Sequence, residues 1–73
     1  MAKLVEVEIK ERMRREEAAD VLRRIADSLA RRNEVEFRRQ GKQVRVHVPD
    51  EVELEVELEI ATDGGELEIE LSW

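Results

Sequence analysis

From Glu51 to Ile60 the chain alternates carboxylate and aliphatic side chains without a fault, Glu-Val-Glu-Leu-Glu-Val-Glu-Leu-Glu-Ile. A period of two sets Val52, Leu54, Val56, Leu58 and Ile60 on one side of a strand and the five glutamates on the other. Wound as a helix, the segment would spread its aliphatics around the whole cylinder. The pattern therefore predicts a strand, despite the weak strand propensity of glutamate. Thr62-Asp63-Gly64-Gly65 is turn chemistry, with glycines free to take positive φ. The alternation resumes at Glu66, with Leu67, Ile69, Leu71 and Trp73 on the apolar side. These two segments predict a hairpin. A loop over 62–65 would place Ile60 opposite Leu67, Leu58 opposite Ile69 and Val56 opposite Leu71, with Trp73 closing the apolar face opposite Leu54.

Two shorter strands precede it. Val35, Phe37 and Arg39 alternate with Glu34, Glu36 and Arg38, and Val44, Val46 and Val48 alternate with Arg45 and His47. Gln40-Gly41-Lys42-Gln43 between them fits a type II′ turn with glycine first. Pro49 fixes φ at a second reversal and cannot donate to a sheet. Met13 to Arg32 breaks the alternation. There Ala18, Val21, Leu22, Ile25, Ala26 and Leu29 recur at helical spacing as one apolar stripe. Asp20–Arg24 and Asp27–Arg31 are acid-before-base pairs four apart. Glu16 and Glu17 suit the positive end of the helix dipole, Arg31 and Arg32 the negative end, and Asn33 suits a left-handed stop. Upstream, Val5, Val7 and Ile9 against Glu6, Glu8 and Lys10 predict a first strand.

The order is β-α-β-β-β-β. One striped helix and one half-apolar sheet satisfy each other's need for burial. The expectation is a single α+β domain over residues 1–73, in two layers, with Leu22, Ile25 and Leu29 packed on one face of a mostly antiparallel sheet. The first strand could join beside the second by a right-handed crossover or take the other edge.

The helix from Glu17 to Leu29, the glutamate/apolar strand after Pro49 and the ending Leu67-Glu68-Ile69-Glu70-Leu71-Ser72-Trp73 resemble the amphi-Trp domain family. These are small, mostly stand-alone prokaryotic proteins in which an amphipathic terminal strand closes in tryptophan. The resemblance spans nearly the whole chain. It implies a compact domain, with no catalytic residues and no activity to carry over.

Composition narrows the chemistry. With no Cys there is no disulfide framework, thiol nucleophile or thiolate metal site. A lone His47 leaves no histidine cluster or pair. No apolar run approaches the roughly 20 residues that span a bilayer, and Met1 to Lys10 lacks the apolar stretch of a secretion signal. A cytoplasmic protein is expected. The formal net charge of −6 hides a division. Residues 1–45 hold all 13 basic residues and nine acids, a balance of +4, whereas residues 46–73 hold ten acids and no Lys or Arg, a balance of −10.

Glu57, Glu59, Glu66, Glu68 and Glu70 form the first candidate site. The assumed register sets Glu59 opposite Glu68 and Glu57 opposite Glu70, and like charges directly opposite repel, so some of their pKa values should rise. Arg45 opposite Glu55 and His47 opposite Glu53 would relieve part of this. The plainest reading is a solubilising face that resists strand-to-strand aggregation. The functional reading is a surface for a basic protein partner or a second copy. Divalent binding would use oxygen ligands, but Asp63-Gly64-Gly65-Glu66 lacks EF-hand spacing. A glycosidase-type pair needs two unequal environments, which a repetitive face does not offer.

The alternative site is basic: Arg38, Lys42 and Arg45, with the helical arginines, could meet nucleic acid phosphates. The acidic whole, the interleaved Glu16, Asp20 and Asp27, and the absence of an exposed aromatic platform disfavour it. Ser28, Thr62 and Ser72 stand in no nucleophile motif. Trp73 reads as a core plug or as an anchor for a partner. The expectation is a non-enzymatic interaction domain without cofactor, metal or small-molecule substrate, with an unidentified protein or itself as partner.

Overall fold

A computed structural model describes residues 4–73, for Arg39 the backbone alone. The order is α1 (Arg15–Arg32), β1 (Glu34–Arg39), β2 (Lys42–His47), β3 (Glu53–Ala61) and β4 (Gly64–Ser72). The α+β class holds, with all strands antiparallel to their neighbours.

The helix begins two residues later than its periodicity suggests. Arg14, as N-cap, has no side-chain acceptor. Glu17 instead reaches back, its Oε1 accepting from the Arg14 N–H at 3.4 Å. That is half of a capping box. At the other end Asn33 adopts φ 57, the left-handed stop expected of it, and its N–H donates to the Ser28 carbonyl. Asp20 pairs with Arg23 at 2.8 Å, three residues on.

No strand forms at Val5, Val7 and Ile9; residues 4–14 run without regular structure into the helix. Residues 1–3 of the chain lie outside the described residues. A strand exists only through a neighbour's ladder, and Ile9 instead lines the cleft between α1 and β1.

Both hairpins form, each in a register two residues from expectation. Gln40 (φ 52) and Gly41 (φ 78) are the central pair of the first turn. Two positive φ values in succession describe a type I′ turn, not type II′. Glu36 then faces Arg45, Arg38 faces Gln43, and Phe37 faces Val44. In the second hairpin the chain reverses over Thr62-Asp63, and Ala61 pairs with Gly64. Leu58 faces Leu67, Val56 faces Ile69 and Leu54 faces Leu71. No residue of this turn has a positive φ, so Gly64 and Gly65 belong to the strand. Gly65 lies opposite Ile60, and a Cβ there would stand 3.0 Å from Ile60 Cδ1. Because the slip is even, every side chain keeps its expected face.

The larger departure is in the layers. The four strands do not merge; β1–β2 and β3–β4 are separate two-stranded sheets. The helix packs on β1, and neither β3 nor β4 contacts α1, β1 or β2. Pro49 supplies a reason. The ladder of the first hairpin extends to Val48, whose N–H donates to the Asn33 carbonyl at 2.8 Å. The next residue has no N–H and a fixed φ, and pairing restarts only at Glu53, against Ser72. Among the described residues, Val48 alone is a buried hydrophobic, at 6% exposure. Val56 and Ile69 remain 59% and 51% exposed, and Trp73, past the last paired residue, 58%. Trp73 is therefore no plug over Leu54.

Val48→Ala should destabilise the fold by about 2 kcal/mol in urea unfolding. Val46→Ala, on a side chain already 38% exposed, should cost less than half as much.

Candidate functional site

The β3–β4 ribbon carries the residues singled out above. Its alternation places Glu55 opposite Glu70, Glu57 opposite Glu68, and Glu59 opposite Glu66. The structure thus brings all five candidate carboxylates together on one face. It does so in three stacked like-charge pairs, Glu55 included, rather than in the two pairs expected. Glu57, Glu59, Glu66 and Glu68 surround a shallow depression of about 30 Å³. A hydrogen bond shared with Glu66 pushes the Glu68 carboxyl above the ordinary glutamate range. The charges of Glu66 and Glu57, slight desolvation and the charge of Glu70 add to it. The main influence on Glu68 is thus Glu66, two residues before it on β4, with Glu57 across the ribbon adding to it. Among the described residues no group of three or more His, Cys, Asp or Glu has the geometry to hold a metal ion.

The basic residues have a different arrangement. Expected pairs of Arg45 with Glu55 and of His47 with Glu53 do not form, because β2 and β3 are not neighbours. Glu36 is the centre instead. Its carboxylate accepts from Arg38 Nε at 2.9 Å and from Gln43 Nε2 at 2.9 Å. Arg45 Nε lies 3.5 Å away and Arg32 Nη1 3.6 Å away, while Glu34 also approaches Arg45, at 4.0 Å. Partial desolvation pushes the Glu36 pKa upward. It is outweighed by the Arg38 hydrogen bond, the charges of Arg45 and Arg38 and the Gln43 hydrogen bond, which leave it below the ordinary value. Two of the three residues of the candidate basic patch, Arg38 and Arg45, thus neutralise an internal carboxylate. Lys42 stands apart at the turn, opposite Arg39. His47 is exposed beside Glu34. The type I′ register puts Glu36 across from Arg45, a placement that a turn one residue pair further on conceals.

A cleft of about 530 Å³ opens between α1 and β1. Val21, Ile25 and Phe37 form its apolar wall, and Ser28 lies among them. The Ser28 hydroxyl is enclosed without a hydrogen-bond partner. It makes no hydrogen bond to Asp27 or Glu36, the two carboxylates that line the same cleft. None of the helices among the described residues is long and apolar enough to cross a membrane.

The two shifted carboxylates act with opposite sign on stability. A raised folded pKa penalises the folded state as pH climbs from the ordinary glutamate value to the raised one, and the penalty persists above it. Glu68→Gln should therefore raise the Tm at neutral pH and leave it unchanged in acid. Carboxyl titration by NMR should place Glu68 above free glutamate. The lowered pKa of Glu36 supplies stability above the ordinary value, lost as pH falls through the depressed one. Glu36→Gln should lower the Tm at neutral pH, with an effect that fades in acid.

No curated protein and no solved structure matches the chain. The family model for the Amphi-Trp domain matches residues 1–73, the full length of the sequence. A chain covered from end to end in this way, and closing on the amphipathic strand and Trp73 described above, belongs to the Amphi-Trp domain family.

Proposed function

We propose that the protein is a small, non-enzymatic interaction module of the cytoplasm, docking through its β3–β4 ribbon. One observation carries this reading. The ribbon stands clear of the helix and first hairpin, with both broad faces open to solvent. A two-stranded hairpin is marginal by itself, so such a ribbon gains most from a partner. The glutamate face offers Glu57, Glu59, Glu66, Glu68 and Glu70 to a basic protein surface. Charge of one sign on one face favours fast encounter and selects against acidic partners. Nucleic acid is the weaker alternative, because Arg38 and Arg45 already face Glu36 at 2.9 and 3.5 Å.

An arginine-rich peptide is the probe. It should bind at low salt and release as salt rises. Glu57→Gln, Glu68→Gln and Glu70→Gln together should weaken it about tenfold, as read by calorimetry. Equal affinity of the triple variant removes the carboxylate face from the function.

A further inference from the structure

The opposite face of the same ribbon presents Leu54, Val56, Leu58, Ile60, Leu67 and Ile69 to solvent, with Leu58 at 68% and Ile60 at 74% exposure. We infer that this face is covered by a second copy of the chain. The two copies exchange ribbons, so that the β3–β4 ribbon of each seats on the helix and cleft of the other. The inference rests on the reading of the chain as an interaction module and names one partner for the apolar face.

Area is the first argument. The chain exposes 7339 Å², against about 4,700 Å² for a compact monomer of this mass. Its radius of gyration is 14.1 Å, where about 11 Å is usual for this length. β3 and β4, whose residues are all exposed but for the half-buried Leu71, contribute to this excess of about 2,600 Å² per chain. Covering half of it in a pair would bury roughly 2,600 Å² in total, within the range of obligate homodimers.

Charge selects the seat. The ribbon belongs to the half of the chain that carries −10, and the helix and β1 to the half that carries +4. With aliphatic faces meeting, the glutamates stay on the outside; ribbon on ribbon still brings two negative halves together, whereas ribbon on helix brings a negative half to a positive one. The helix also has apolar surface to give. Leu22 is 47% exposed, and Val21, Ile25 and Phe37 wall the open cleft beside it. These are the contacts that the hydrophobic stripe calls for and that the ribbon of the same chain does not make. Residues 48–52, stiffened by Pro49, connect the two halves. A short, stiff connection of this kind is the usual setting for exchange between identical chains.

The chain has no cysteine, so cysteine pairs report the seat cleanly. Leu22→Cys chains mixed with Val56→Cys chains under mild oxidation should form the mixed disulfide faster than either self-linked product. Light scattering of the unmodified protein should give twice 8.6 kDa at tens of micromolar, and the Tm should rise with concentration. Ile69→Asp should return the mass to one chain, while leaving the arginine-peptide affinity unchanged, since Ile69 lies on the other face. A single-chain mass at that concentration overturns the inference. So does a Leu22→Cys/Val56→Cys double variant that closes within one chain, or Val56→Cys chains that link to each other ahead of the mixed product. None of these failures touches the test of the carboxylate face, which reads a different ligand on a different surface.

Discussion

A ribbon of two strands can satisfy its inner backbone hydrogen bonds but cannot cover its own side chains. That constraint governs this molecule. The perfect alternation of β3 and β4 gives one face wholly to carboxylates and the other to aliphatics, and a third element is needed to make the second face dry. Within the chain the helix is already engaged with β1. The ribbon is left with hydrophobic surface and no layer above it, and Val48 stands as the buried apolar centre of the described residues. Association is the ordinary physical remedy for such a deficit in chains this short.

Electrostatics has also been divided between the two halves. In the first hairpin a single carboxylate, Glu36, gathers Arg32, Arg38 and Arg45 and so ties the helix end to both strands. In the second, carboxylates face one another with no cation on the ribbon. Glu68, hydrogen-bonded to Glu66 and close to its charge and that of Glu57, holds its proton more tightly. One network consolidates its hairpin near neutral pH, whereas the other strains its ribbon there. Around Glu36 the charges are accordingly compensated within the hairpin, and the negative half directs its field outward.

Much of this was legible in the residues. The helix, its Asn33 stop, four of the five expected strands and the face of every glutamate in the ribbon follow from periodicity and end chemistry. Register was not legible to the same degree. Thr62-Asp63-Gly64-Gly65 is compatible with a reversal at either of two positions, and glycines that look like turn residues sit in β4 instead. The clustering around Glu36 depended on the matching choice in the first hairpin, since Arg45 stands directly opposite Glu36 only when the turn is centred on Gln40-Gly41. The missing contact between ribbon and helix could not be read from pattern at all. Alternation says which side of a strand must be dry and is silent on which surface will dry it. The leading segment failed for a related reason: Val5, Val7 and Ile9 have the right period, but period alone creates no neighbour.

The even displacement of both hairpins carries a lesson for how such a chain tolerates change. A tip that gains or loses two residues only lengthens or trims the ribbon, and its chemistry is left as it was. An odd insertion within β4 would instead invert everything beyond it, turning leucines outward among glutamates and carboxylates onto the greasy side. Length variation at the tips of these hairpins should accordingly come in steps of two, a parity rule written by the pleat itself.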